Sequence, residues 1–223
     1  MKKKVAVVDY GMGNLRSVTQ AVVHAAQGSS VEVVWARTPA EVLAADRVVL
    51  PGQGAMRDCM GEIKKLHLDA CLKQALASGK PVLAICVGMQ ALLASSEENG
   101  GVPCLNILPG AVYGFNQDAE FKELNSKLQG PERLKVPHMG WNQVAQTQPH
   151  PLWQGIADKS RFYFVHSYFV QTPDESLVTG RVTHGIPVVA ALAQANLFAV
   201  QFHPEKSHHA GLTLLNNFMH WQP

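Results

Sequence analysis

The stretch Lys80-Pro-Val-Leu-Ala-Ile-Cys86-Val-Gly-Met-Gln-Ala-Leu-Leu93 decides how the rest of the chain is read. Val82 to Ile85 is an apolar run of strand length, and Val87 to Leu93 begins a helical pattern. Cys86 sits at the junction, with Ala84 two residues before it and Gly88 two after. A sharp strand-to-helix turn needs small neighbours. This is the layout of a nucleophile elbow with cysteine in place of serine. The turn lifts the sulfur out of the sheet and points it at a helix N-terminus, whose free N–H groups favour a thiolate. It also sets the amide of Val87 to donate to an oxyanion. The bland reading of the same segment is a buried structural cysteine.

Upstream, strand and helix alternate. Lys4 to Asp9, Val31 to Trp35 and Arg47 to Leu50 read as strands. Asn14 to Ala26 and Met56 to Ala77 read as helices, the second ended by Gly79. Such alternation implies a parallel sheet covered on both faces. Downstream, short apolar runs follow one another: Ala111 to Phe115, Trp141 to Ala145, Phe162 to Val165, Tyr168 to Gln171, Leu177 to Val182, Pro187 to Leu192 and Leu197 to Phe202. These predict antiparallel strands on the same sheet or beside it, before a last helix from about His209 to Trp221. The expected fold is α/β: one domain, residues 1–223, with a mixed, largely parallel central sheet flanked by helices.

Composition agrees with a folded globule. Of 223 residues, 47% are hydrophobic and 16% charged, which argues against a disordered chain. The formal net charge of +2 gives no reason to expect a nucleic-acid partner. The apolar run after Lys4 is cut short by Asp9, too soon for a secretory signal, and no stretch nears the roughly 20 apolar residues of a membrane span. A cytoplasmic location is expected, away from membranes. There the four cysteines, Cys59, Cys71, Cys86 and Cys104, are reduced thiols.

A cysteine nucleophile wants a histidine, and the histidine wants a third group to fix its tautomer. Among ten histidines, His203 stands out because it follows an apolar strand and opens His203-Pro204-Glu205. Pro204 biases His203 to an extended conformation, in which residues two apart point the same way. Glu205 then lies beside the imidazole. A zinc-deaminase reading of H-x-E fails for want of a following P-C-x-x-C, and neither a metal nor a cofactor is implied. Leu50-Pro-Gly-Gln-Gly54 closes the third strand with bare backbone, which can aim the N–H of Gln53 at an oxyanion. The opening Gly11-Met-Gly-Asn-Leu15 lacks the third glycine of a dinucleotide fingerprint.

These three pieces, in this order, resemble the class I glutamine amidotransferases, with their P-G-x-G loop, G-x-C-x-G nucleophile and late H-P-E. The resemblance covers almost the whole chain. It implies that Cys86 attacks the side-chain amide of glutamine, that His203 protonates the leaving ammonia and that Glu205 orients His203. It further implies oxyanion donors at Gln53 and Val87, and substrate contacts from Gly52, Gln90, His166, Ser167 and Tyr168. Val136-Pro-His-Met-Gly-Trp-Asn142, Phe162-Tyr-Phe-Val-His-Ser-Tyr168, Gln201-Phe-His-Pro-Glu-Lys-Ser207 and Asp9-Tyr-Gly-Met-Gly-Asn-Leu15 are similar to one branch, the glutaminase subunits of imidazole glycerol phosphate synthase. That branch implies a (β/α)8-barrel cyclase subunit as partner, with Asn14, Trp141, Asn142, Tyr163 and Lys206 at the interface or the ammonia exit.

The chain departs from the family pattern at Gln53, usually a small apolar residue, at Ala84, usually glycine, and at Val87, usually leucine. The rival readings are an amidotransferase subunit of another pathway, a stand-alone cysteine hydrolase of γ-glutamyl substrates, and a non-catalytic regulatory subunit.

Overall fold

The computed structural model describes residues 2–28 and 30–223. The chain first runs β1 (Lys3–Val8), α1 (Leu15–Ala25), β2 (Val31–Ala36), α2 (Pro39–Ala44), β3 (Arg47–Leu50), α3 (Met56–Lys65), α4 (Leu68–Ala77), β4 (Val82–Ile85) and α5 (Val87–Gln90). It continues through β5 (Ser95–Ser96), β6 (Val102–Pro103), β7 (Ala111–Gly114), α6 (Ala119–Lys127), β8 (His138–Gln143) and β9 (Ala145–Gln146). Then follow β10 (Arg161–His166), β11 (Tyr168–Gln171), β12 (Val178–His184), β13 (Ile186–Gln194), β14 (Leu197–Val200) and α7 (His208–His220).

The main sheet has the order β2-β1-β3-β4-β14-β13-β12-β9. The first five strands are parallel and the last three antiparallel. β3, β4 and β14 are buried at every position, as strands covered on both faces must be. The crossovers β1–α1–β2 and β2–α2–β3 travel in opposite directions along the sheet, so right-handed connections put α1 and α2 on opposite faces. α1 packs on α7, while α2 and α3 both pack on α4. A β8–β10 ribbon and a small β11-β7-β5-β6 sheet complete the second half. The later strands therefore divide between the main sheet and two companions.

Three differences from the sequence reading have physical causes. The single helix expected over Met56 to Ala77 is two, broken at Leu66-His67, where His67 is left-handed (φ 55°). At 3.6 residues per turn, a straight helix would set the Leu68, Cys71, Leu72 and Ala75 stripe about 120° away from the Met56, Cys59, Met60 and Ile63 stripe. The break lets both stripes be buried. α5 stops after one turn because the carbonyls of Ala91, Leu92 and Leu93 accept bonds from the amides of residues 105–108 instead of continuing the helix. Finally, α2 and α6 were not expected. Each is short and begins with a local cap: Thr38 with Glu41 in a capping box, and Asp118 accepting from the Phe121 amide.

Thr38→Ala removes one half of that capping box, remote from the ends of β4 and β14. A loss of about 1 kcal/mol is expected in a denaturant titration, with unchanged catalytic rate.

Candidate active site

β4 delivers Cys86 to the carboxyl edge of the parallel strands, where open α/β sheets place their sites. Cys86 adopts φ 56° and ψ −111°, the strained backbone of a nucleophile elbow. Its amide donates to the Val200 carbonyl at 2.8 Å, continuing the β4–β14 ladder one residue past the strands. Behind it, Gly52 and Gly88 pack backbone to backbone. A Cβ on Gly52 would collide with the Val87–Gly88 peptide, and one on Gly88 would collide with the Leu50 carbonyl. Both glycines are therefore required for the Pro51–Gly54 loop to approach the elbow.

Two anchors hold that loop. Tyr10 donates its hydroxyl to the Pro51 carbonyl at 2.9 Å, and the Cys59 thiol reaches the Gln53 carbonyl at 3.5 Å. Burial, then Cys59, keeps the Tyr10 phenol well above its ordinary range, so it remains a donor. Burial likewise raises the Cys59 thiol to about 11. The anchored carbonyls lie on either side of the Gly52–Gln53 peptide. The Gln53 side chain itself is exposed.

His203 comes from the segment just beyond β14. Its Nδ1 lies 2.7 Å from Glu205 Oε1, and the two side chains are 4% and 1% exposed. A carboxylate accepts, so Nδ1 carries the proton; Nε2 is buried and makes no hydrogen bond to another described residue. Burial pulls the imidazole pKa down, but interaction with Cys86 and then Glu205 outweighs it and the value rises to about 10. The pairing does not come from continued extended chain. His203 is extended, and Pro204–Lys206 form one 3-10 turn that swings Glu205 back. The Tyr163 carbonyl and Ser207 hydroxyl pin the His203 backbone at 2.9 and 2.6 Å.

A cavity of about 270 Å³ opens over Cys86 and His203. Gln53, Val87, Gln90, His166, Ser167 and Tyr168 are among the residues that line it. Gly52 stands behind that wall, against Gly88, and is not among the lining residues. Glu98 lines the cavity too and was missed. Its Oε2 accepts from the Met56 amide at the head of α3, 2.9 Å away. Nothing in the local pattern Ser-Ser-Glu-Glu marks one of the two glutamates as a pocket residue, because a distant helix start fixes it. Gln201, fully buried beside Cys86, was also missed as a site residue.

On the outer side, Trp141 stacks on His208 (5.0 Å, 3°) and meets Tyr163 edge-on. Lys206 Nζ lies 5.7 Å over the Tyr163 ring, a cation–π contact. Trp141 is 42% exposed and neighbouring Met139 62%. Asn142 is turned inward, donating to the Thr183 carbonyl at 2.8 Å and touching His138 Nε2 at 3.1 Å. Asn14 lies at the head of α1, which packs beside Pro204–Lys206. Among the described residues no group of three His, Cys, Asp or Glu is placed to hold a metal, and no helix is long and apolar enough to cross a membrane.

His138, His166 and His184 form a packed cluster beneath the cavity. His166 Nδ1 must donate to the Tyr168 carbonyl (2.8 Å), so its Nε2 accepts from His138 Nδ1 (2.9 Å), and His138 Nε2 accepts from Asn142. Only neutral rings fit this order. Burial, reinforced by the neighbouring imidazoles, lowers His138 to about 3. Burial lowers His166 to about 4, with the Tyr168 carbonyl opposing, and lowers His184 against the Lys135 carbonyl.

Two outcomes follow from this geometry. Between the unfolded histidine value of about 6.5 and the folded values near 4 and 3, the unfolded chain binds more protons. Stability should therefore fall as pH drops through that window, read as a declining urea midpoint, and His138→Asn should flatten the decline. Gly88→Ala should reduce catalysis by about 10²-fold, the worth of one oxyanion donor, because its methyl displaces the Leu50–Pro51 backbone.

The class-I glutamine amidotransferase pattern matches residues 6–221. The chain is 54% identical over 219 residues to the imidazole glycerol phosphate synthase subunit HisH of Aromatoleum aromaticum, covering 98% of this chain and 99% of that one. It is 50% identical over 221 residues to subunit HisH 1 of Pseudomonas aeruginosa, with 99% and 98% covered. Among solved structures, the PurLQS structure from Thermotoga maritima matches at a TM-score of 0.69 with 18% identity, covering 99% of both chains. A structure described as a glutamine amidotransferase matches at 0.68 with 15% identity, covering 96% of this chain and 98% of that one. The structural matches establish the shared α/β fold, and the sequence matches establish the lineage. The chain belongs to the class I glutamine amidotransferases and, within them, to the family of imidazole glycerol phosphate synthase subunits HisH.

Proposed function

We propose that Cys86, His203 and Glu205 hydrolyse the side-chain amide of glutamine in this chain, the glutaminase subunit of imidazole glycerol phosphate synthase in histidine biosynthesis. The observation that carries the assignment is His203, held by buried Glu205 and lining one cavity together with Cys86 and the Glu98 carboxylate.

The Cys86 sulfur attacks the amide carbon, and the amide N–H groups of Val87 and Gln53 receive the developing oxyanion. The C–N bond breaks as the His203 imidazolium gives its proton to the departing nitrogen, releasing ammonia and leaving a thioester. His203, now neutral, takes a proton from water. The resulting hydroxide adds to the thioester, and glutamate leaves as the proton returns to the Cys86–His203 pair. Glu98 supplies the negative charge for the substrate's α-ammonium.

Ammonia then passes to a (β/α)8-barrel cyclase subunit seated over Trp141, Tyr163 and Lys206. There it is joined to a ribonucleotide substrate, giving imidazole glycerol phosphate and 5-aminoimidazole-4-carboxamide ribonucleotide. The word "subunit" in the relatives' names and the exposed Met139 and Trp141 support a partner on that face. Release of free ammonia is wasteful, and the Gly52–Gln53 peptide, between two anchored carbonyls, is the element suited to switch the site on when the partner docks.

Glutamate release should rise strongly when the cyclase subunit and its nucleotide ligand are added together. Equal rates with and without them would indicate an independent hydrolase. Cys86→Ala should lower glutamate release by at least about 10⁴-fold while leaving cyclase binding intact.

A further inference from the structure

We infer that Gln201 is a catalytic residue whose side-chain amide donates a hydrogen bond to the Cys86 sulfur and stabilises its thiolate. In the β4–β14 register Ile85 faces Val200, so Cys86 and Gln201 are the next opposed pair. Gln201 is 0% exposed, and its Nε2 lies 3.6 Å from Cys86 Sγ, within reach for a sulfur acceptor.

The orientation of this amide is fixed by its neighbours. The Tyr168 carbonyl can only accept, so the end of Gln90 that meets it at 3.0 Å is the nitrogen. The same Gln90 nitrogen lies 2.9 Å from Gln201, so the end of Gln201 facing it is the oxygen. The Gln201 NH2 is then left facing sulfur. A buried thiolate has little water to solvate it, and a hydrogen bond to a charged acceptor is worth more than one to a neutral acceptor. Gln201 therefore supports the nucleophilic form of Cys86, while His203 handles the proton.

This inference rests on Cys86 being the nucleophile. The two fail differently: glutamine hydrolysis surviving in Cys86→Ala would remove the nucleophile, whereas alkylation of Cys86 reports on the sulfur without any substrate. The experiment follows iodoacetamide labelling of the Cys86 peptide by mass spectrometry across a pH series, in the full chain. Gln201→Met keeps length and burial but removes the donor. Gln201→Glu keeps the oxygen that Gln90 needs and turns a carboxylate oxygen toward the sulfur.

The pH profile of labelling should move up by about one unit in Gln201→Met, with labelling about tenfold slower on the acid limb of the profile. It should move further in Gln201→Glu, because like charges oppose each other. In the complex with cyclase, kcat for glutamine should fall while KM holds. A purely packing role would lower the melting temperature and leave the labelling profile where it was, and that result would overturn the inference. If Gln201→Glu does not fold, the Gln201→Met profile decides alone.

Discussion

The parallel pairing of β4 with β14 is the constraint from which the site follows. Each strand is only four residues long, yet together they place Cys86, Gln201 and His203 within reach of one another. The register is locked at both ends. At the far end the Asn196 carbonyl accepts from the Val82 amide, and the Asn196 side chain holds the Leu76 carbonyl at the end of α4. At the near end the Val200 carbonyl accepts from Cys86 itself. A slip of one residue would move every side chain on β14 to the other face of the sheet. It would take His203 away from the sulfur and bring Phe202 to it.

Given that register, the elbow still has to be backed. Positive φ at a non-glycine residue costs on the order of 1–3 kcal/mol and persists only where the surroundings over-determine it. Here the surroundings are the Pro51–Gly54 loop, wedged against the elbow by Gly52 and Gly88 and pinned by Tyr10. The same contact that supports the strained cysteine therefore also restricts where the Gly52–Gln53 peptide can sit, so a substituent on either glycine disturbs the elbow and the loop together.

Much of this was legible in the sequence because it depends on local rules. Buried parallel strands read as continuous apolar runs, a tight turn demands small residues, and a proline fixes the chain after His203. The candidates Cys86, His203, Glu205 and the Pro51–Gly54 loop followed from those signs. Glu98 and Gln201 did not, since each is placed by a partner far along the chain: the Met56 amide for one, the Gln90 side chain for the other. The α3–α4 break was readable in principle from the out-of-phase apolar stripes, but the absence of a breaker residue concealed it. The resemblance places Gly52 against substrate; its close packing on Gly88 is a further requirement that the motif alone does not reveal.

Five polar side chains running inward from β8 form one connected path. Asn142, on the strand that carries exposed Met139 and Trp141, donates to His138, His138 to His166, and His166 to the Tyr168 carbonyl. That carbonyl also accepts from Gln90, which holds Gln201, which donates to Cys86. Each ring's tautomer and each amide's orientation is dictated by its neighbour, so no member can turn over alone without leaving two donors or two acceptors face to face. Such a mismatch in a buried site costs roughly 1–3 kcal/mol. The low pKa values of His138 and His166 serve this order, because a protonated ring would present a second donor where an acceptor is required. Asn142 on β8 and the sulfur of Cys86 are thus parts of a single hydrogen-bonded arrangement, and the residues between them are held to one pattern by the need to match donors with acceptors.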